Sequence, residues 1–175
     1  MVERTEGIAM TGSLSSRRLA ELYERHVGRA VALAALVGGD ADAAEDIAHE
    51  AFIRTAGRLS GLRDPSAFDS YLRRTVVNLC RARARRASIE RRYVRWLAPR
   101  EVATAPSRTE DQDVLWRALR DLPDRQRAAV VLRYYEDLSE EQVADALRCS
   151  PRAVNALVSR AMATLRERIG EEERT

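Results

Sequence analysis

Arg152, Asn155, Ser159 and Arg160 recur at intervals of three, four and one near the C-terminal end of the chain. That spacing places them on one face of a helix. Asn can hold adenine and Arg guanine through paired hydrogen bonds in the DNA major groove, and Ser can serve either base edge. A second set lies upstream, where ten arginines between Arg73 and Arg100 face one acid, Glu90. Tyr71, Tyr93 and Trp96 border or interrupt this run. Guanidinium groups track phosphates while rings stack on unpaired bases, so the combination suits a nucleic-acid surface. The chemistry on offer is recognition, not bond making.

The elements that position the first set are legible from their ends. Ser139 can cap a helix, with Gln142 three residues on as the reciprocal partner of a capping box. Ser150 can cap the next helix, with Pro151 at its first position, where a missing N–H costs nothing. Leu147 closes the first helix, and Arg148-Cys149 leaves a corner of three to four residues, the geometry of a helix-turn-helix. Val154, Leu157, Val158, Ala161 and Leu165 form the inward face of the second helix.

The rest of the chain reads as helices joined by corners. Seven of the eight glycines fall at or before Gly61, and the long Ala-, Leu-, Arg- and Glu-rich remainder holds only Gly170. No alternating β-branched run bounded by hairpin turns is present, so the expected class is all-α. Residues 1–14 lack a period and are expected to be a disordered leader. Apolar residues from Leu19 to Ala35 recur at three and four, predicting a helix that ends near Gly38-Gly39. Asp40 is the expected cap of a second helix with Ala43, Ala44, Ile47, Ala51 and Phe52 on its apolar face. A loop over Leu62–Ser66 precedes a third helix from about Ala67 to Arg91. Pro99–Arg108 is the best linker, and two further helices follow, one stopping at Pro123 and one running to Tyr135. The expected organisation is therefore a first helical domain over 15–96, a flexible linker over 97–110, a helix-turn-helix domain over 111–170 and an acidic tail over 171–175.

Other chemistries find little support. His26 and His49 are the two histidines of the chain, too few for a helical-bundle metal centre, and no metal or cofactor is expected. Cys80 and Cys149 lie in apolar helical patterns without a CxxC spacing and read as structural thiols. No phosphate loop, nucleophile elbow or HExxH motif occurs, so the protein is not expected to be an enzyme. The longest apolar stretch, Ala30 to Val37, is too short to span a bilayer, which suits a cytoplasmic protein.

With both halves in view, the chain resembles the extracytoplasmic-function sigma factors of the sigma-70 family over roughly residues 16–168. Three stretches carry the likeness. Ala44 to Arg54 resembles the helix that binds the β′ clamp helices of RNA polymerase, with His49 in place of a usual Gln. Phe68, Tyr71, Leu72 and Asn78 match a Phe, Trp, Leu, Asn pattern, with Tyr71 in place of the commoner Trp. Leu122-Pro123 with Arg127, and then Arg133 to Ser139, resembles the start of region 4. The resemblance implies that Asp46, His49, Glu50, Phe52 and Arg54 meet core polymerase, which would also contact the chain through its β flap. It implies that Arg63, Asp64, Ser66, Phe68, Tyr71, Arg73, Arg74, Asn78 and Arg81 capture the −10 element as it melts. Arg152, Asn155, Ser159 and Arg160 would read the −35 element, because Asn155-Ala156-Leu157 replaces the family's basic cluster. An anti-sigma partner clamped across both domains is a further implication. The alternatives are a stand-alone helix-turn-helix regulator acting as a dimer, and an adaptor that binds polymerase without touching DNA.

Overall fold

The computed structural model describes residues 4–58, 66–93 and 110–172, with side chains over 17–58, 67–89 and 113–170. Within them the chain forms α1 (Arg4–Gly38), α2 (Ala44–Ala56), α3 (Ser66–Tyr93), α4 (Glu110–Asp121), α5 (Asp124–Val130), a π turn (Val131–Tyr135), α6 (Glu140–Leu147) and α7 (Pro151–Glu172). The described residues contain no strand. Helix α1 runs back to Arg4, where a disordered leader over 1–14 was expected. The stretch lacks Pro, and a helix already nucleated from Leu19 onward extends upstream at small cost per residue. The linker residues 97–109 lie outside the described residues.

Helices α1, α2 and α3 pack on one another. Their core is organised by rings set edge to face: Tyr23 on Phe52 at 5.0 Å, Phe52 on Phe68 at 5.7 Å and His26 on Phe68 at 5.1 Å between centroids. Helix α1 stops where Gly39 adopts φ +68, a conformation that glycine takes without strain. Asp40 does not cap α2. Its carboxylate accepts a hydrogen bond from the Ala43 N–H at 3.2 Å, and Ala43 then enters α2 without a side-chain cap. The intervening turn places Asp40 three positions before the cap residue.

In the second half α7 is the spine, touching α4, α5 and α6. Ala118, Leu119, Leu122, Val130, Ala161 and Leu165 form a cluster of their own there. The expected helix through Tyr135 is interrupted: α5 ends at Val130 and the π turn follows. That turn sends Leu132 fully inside and leaves Tyr134 and Tyr135 exposed.

The two halves also meet directly. The larger apolar cluster runs without a break from Ala34, Val37, Val76 and Val77 to Leu132, Val143, Leu147 and Val154. Arg127, 5 % exposed, reaches from α5 to the C-terminal end of α1. Its Nε donates to the Val37 carbonyl at 2.9 Å and its Nη2 to the Gly38 carbonyl at 3.3 Å. Beside this joint Cys80 is buried with its sulfur 3.7 Å from the Ala34 carbonyl oxygen. Burial pushes its thiol up to about 12, so it stays neutral and inert. Cys149 is half-buried, and both thiols are free.

Candidate nucleic-acid interface

The helix-turn-helix forms as its end signals dictate. Ser139 Oγ accepts from the Gln142 N–H at 3.3 Å while Gln142 Oε1 accepts from the Ser139 N–H at 2.8 Å, a complete capping box. The Glu141 carboxyl is held below its usual range by a backbone hydrogen bond first and then by the one that the Ser139 hydroxyl donates to it. Ser150 Oγ accepts from the Ala153 N–H at 3.2 Å and so caps α7. Val154, Leu157, Ala161 and Leu165 turn inward. Arg152, Asn155, Ala156, Ser159 and Arg160 are exposed together on the opposite face. Sequence spacing alone therefore separated the outward from the inward face of α7. What it missed is Glu140, whose Oε2 accepts from Asn155 Nδ2 at 2.8 Å and orients the amide.

The corner contains a strained residue. Arg148 ends α6 at φ 50 and ψ 59, in the left-handed region. That conformation costs a residue with a Cβ about 1–2 kcal/mol, and glycine almost none. Because glycine also loosens the unfolded chain by roughly 0.4–1 kcal/mol, Arg148→Gly should stabilise the protein by about 0.5–1 kcal/mol. Urea unfolding measures it; a lower midpoint would show that the Arg148 side chain offsets the strain.

On α3, Tyr71, Arg74, Asn78 and Arg81 form a stripe of exposed and half-buried residues at helical spacing. Arg73 lies beside the stripe with its side chain 13 % exposed. Phe68 leaves the contact set. Its ring is fully buried against His26 and Phe52, so it shapes the core under the stripe and offers no exposed surface. Arg63 and Asp64 lie outside the described residues. Ser66 opens α3, with its side chain outside them too.

Asp46, His49, Glu50 and Arg54 are all exposed on α2. Glu50 and Arg54 pair one turn apart, and the His49 ring sits edge-on to Tyr23 at 6.0 Å. Phe52 is the exception: 5 % exposed, it belongs to the core and offers a partner no surface. The sequence reading passed over Ile53, which is 57 % exposed. Its place in the i, i+3, i+4, i+7 series after Asp46, His49 and Glu50 was the available signal.

A fourth surface surrounds the exposed tyrosines. An open groove of about 620 Å³ is lined almost entirely by apolar side chains, among them Leu115, Leu119, Tyr134, Tyr135, Met162 and Ile169. Leu36 of α1 closes one side. Leu115 is 46 % exposed at this rim. Among the described residues no cluster of three or more His, Cys, Asp or Glu side chains could hold a metal, and no helix is long and apolar enough to cross a membrane.

Known proteins share both halves. The family model for sigma-70 region 2 matches residues 22–89, and that for sigma-70, region 4 matches residues 112–165. The chain is 34 % identical over 126 residues to RNA polymerase sigma-E factor of Streptomyces avermitilis, covering 72 % of this chain and 70 % of the relative. It is 30 % identical over 174 residues to ECF RNA polymerase sigma factor SigM of Mycobacterium tuberculosis, covering 96 % of this chain and 86 % of the relative. Among solved structures, the sigma factor RpoE bound to the anti-sigma factor NepR from Bartonella quintana shares the fold. Its TM-score is 0.75 at 20 % identity, over 88 % of this chain and 98 % of that one. Two helical halves in the order region 2 then region 4, matched by relatives along most of their length, place this chain in the sigma-70 family, among its extracytoplasmic-function sigma factors.

Proposed function

We propose that this sigma factor divides its work among four surfaces while it directs core RNA polymerase to promoters in the cytoplasm. The observation that carries the division is the separation of the exposed faces. The α2 face holds Asp46, His49, Glu50, Ile53 and Arg54, the α3 stripe is basic, and the α7 face is rich in hydrogen-bonding groups. The first suits the clamp helices of the β′ subunit, with Ile53 as its apolar centre. The α3 stripe suits a melted −10 strand. Extruding a base from the stack costs a few kcal/mol, and stacking on a ring such as Tyr71 returns roughly 1–3 kcal/mol per base. Asn78 can then meet a base edge, with Arg63, Asp64 and Ser66 completing the pocket from the loop before α3. Arg73, Arg74 and Arg81 hold flanking phosphates.

The α7 face reads duplex −35 DNA through Arg152, Asn155, Ser159 and Arg160, with Glu140 holding the Asn155 amide. The apolar groove around Tyr134 and Tyr135 suits a helix of the β flap. Region 2 spans 15–96, region 4 spans 111–170, and residues between them bridge the polymerase surface. One solved neighbour, the sigma factor RpoE with the anti-sigma factor NepR, is a complex of this kind of protein with a second chain. An anti-sigma factor is accordingly a partner class for this one. The chain performs no catalysis itself; it lends specificity to the polymerase.

Adding the purified chain to bacterial core polymerase should give promoter-dependent run-off transcripts from a genomic fragment library, and the two should co-purify. Absence of both would sink the reading. Transcripts that survive removal of residues 111–175 would refute the −35 role of the second half.

A further inference from the structure

Asn155 stands in the second turn of α7, on the exposed face that carries Arg152, Ser159 and Arg160. Its amide is held from the other helix of the motif. Nδ2 donates at 2.8 Å to Oε2 of half-buried Glu140, the first residue of α6. An amide has two orientations of nearly equal shape, related by a half-turn, one presenting oxygen where the other presents nitrogen. A carboxylate accepts hydrogen bonds and donates none, so it distinguishes between them. The flipped amide would set Asn155 Oδ1 against a carboxylate oxygen, acceptor facing acceptor. Glu140 therefore selects a single orientation.

That choice decides which base edge the side chain can meet. Glu140 uses one of the two Nδ2 hydrogens, and Oδ1 and the second hydrogen remain as an adjacent acceptor and donor. Adenine complements them with its N6 donor and N7 acceptor. Guanine presents acceptors at both O6 and N7, and thymine an acceptor and a methyl group, so each leaves Oδ1 without a proton. An amide free to turn could donate to guanine O6 through Nδ2, which would blur the two purines. We infer that Glu140 is a positioning residue for base readout: by holding the Asn155 amide in one orientation, it makes α7 select adenine over guanine at one base pair of the −35 element. The same carboxylate adds negative charge beside a polyanion and opposes DNA binding in general. Its contribution is selectivity, obtained against affinity. The inference rests on the proposed contact of α7 with −35 DNA.

The test uses the full chain bound to core polymerase and a promoter fragment whose −35 region is randomised. Sequencing the retained fragments gives the base preference at each position. Asn155→Ala marks the Asn155 base pair as the position that loses its preference. There the unaltered chain should favour adenine over guanine by roughly ten- to a hundredfold, the discrimination of one good bidentate pair. Glu140→Gln keeps the shape but can accept or donate, so it supports both amide orientations. It should bring the preference below about threefold, because a partner that pairs with either orientation no longer chooses. Total retention should rise, since a negative charge has left the DNA-facing side. Glu141→Gln is the control: it removes the same charge from the same turn, where the partner is Ser139, and should leave the adenine preference intact. With Asn155→Ala already present, adding Glu140→Gln should change no base preference, as expected of a residue that acts through another.

An undiminished adenine preference in Glu140→Gln overturns the inference and leaves Asn155 in contact with the base. A preference for guanine or thymine at the Asn155 position overturns it as well, because the held orientation is then the wrong one. A cytosine preference that survives Asn155→Ala and vanishes in Glu140→Gln would make Glu140 itself the base contact and refute positioning. Flattening at every position in Glu140→Gln, or the same loss in Glu141→Gln, marks a structural effect and refutes it too. If Asn155→Ala flattens no position, the −35 assignment of Asn155 fails first, and the inference falls with it.

Discussion

Arg127→Met should cost about 3–5 kcal/mol of stability, the range seen when one partner of a buried charged network is removed. Methionine keeps the stem and discards the guanidinium. That group donates to the carbonyls of Val37, Gly38, Arg120 and Leu122 at 2.9–3.3 Å and to Asp124 Oδ1 at 2.8 Å. Two of those carbonyls end α1, where the negative pole of the helix welcomes a cation and no helical N–H remains to satisfy them. Each buried acceptor left unmade costs roughly 1–3 kcal/mol, reduced where water can enter. Gly39 accommodates the same guanidinium: a Cβ there would lie 3.3 Å from Arg127 Cζ. Urea denaturation followed by circular dichroism checks the value. A shift below about 1 kcal/mol would mean that the clamp is not what joins α5 to α1.

Reversing Arg74 and Arg81 to Glu should lower promoter-dependent run-off transcription on the order of a hundredfold while co-purification with core polymerase persists. Two phosphate contacts vanish and two repulsions replace them. Each contact to a single strand contributes roughly 0.7 to the salt dependence of binding, so the slope should flatten by about 1.4. The pair is suited to the experiment because both side chains lie on the outer stripe of α3, away from the Phe52–Phe68 core. Full activity in the double variant would fit a polymerase adaptor that never touches the strand. A loss of activity together with a loss of co-purification would place these arginines on the polymerase and not on DNA.

Much of this was legible beforehand, and the part that was not has a common cause. The frame of the helix-turn-helix is written locally, in Ser139, Gln142, Ser150 and Pro151, each acting within three residues of itself. Its outward face follows from helical spacing for the same reason. Phe68 and Phe52 were misassigned because apolar type and family position agree equally well with a contact and with the core beneath it; only packing decides. Asp40 failed as a cap by one short turn, a shift that a capping preference does not specify. Glu136 pairs with Arg73 and Arg29, 63 and 107 positions away, where no periodicity reaches. Arg127 stood out in the sequence as a family position, yet its function as a buried clamp needed the end of α1 to be placed beside it.

The π turn at Val131–Tyr135 sets a constraint on how this chain can change in length. A π turn accommodates one residue more than the α-helical repeat would hold. A sixth residue in the segment, or the same five wound as ordinary α-helix, would rotate everything after it by roughly 100°. Tyr134 and Tyr135 would swing away from their groove, and Glu136 would swing away from Arg29 and Arg73. The heading of α6 and α7 would turn with them. The segment therefore behaves like a gear tooth: its side chains can be exchanged one at a time, but the number of residues in it fixes the phase between the two halves.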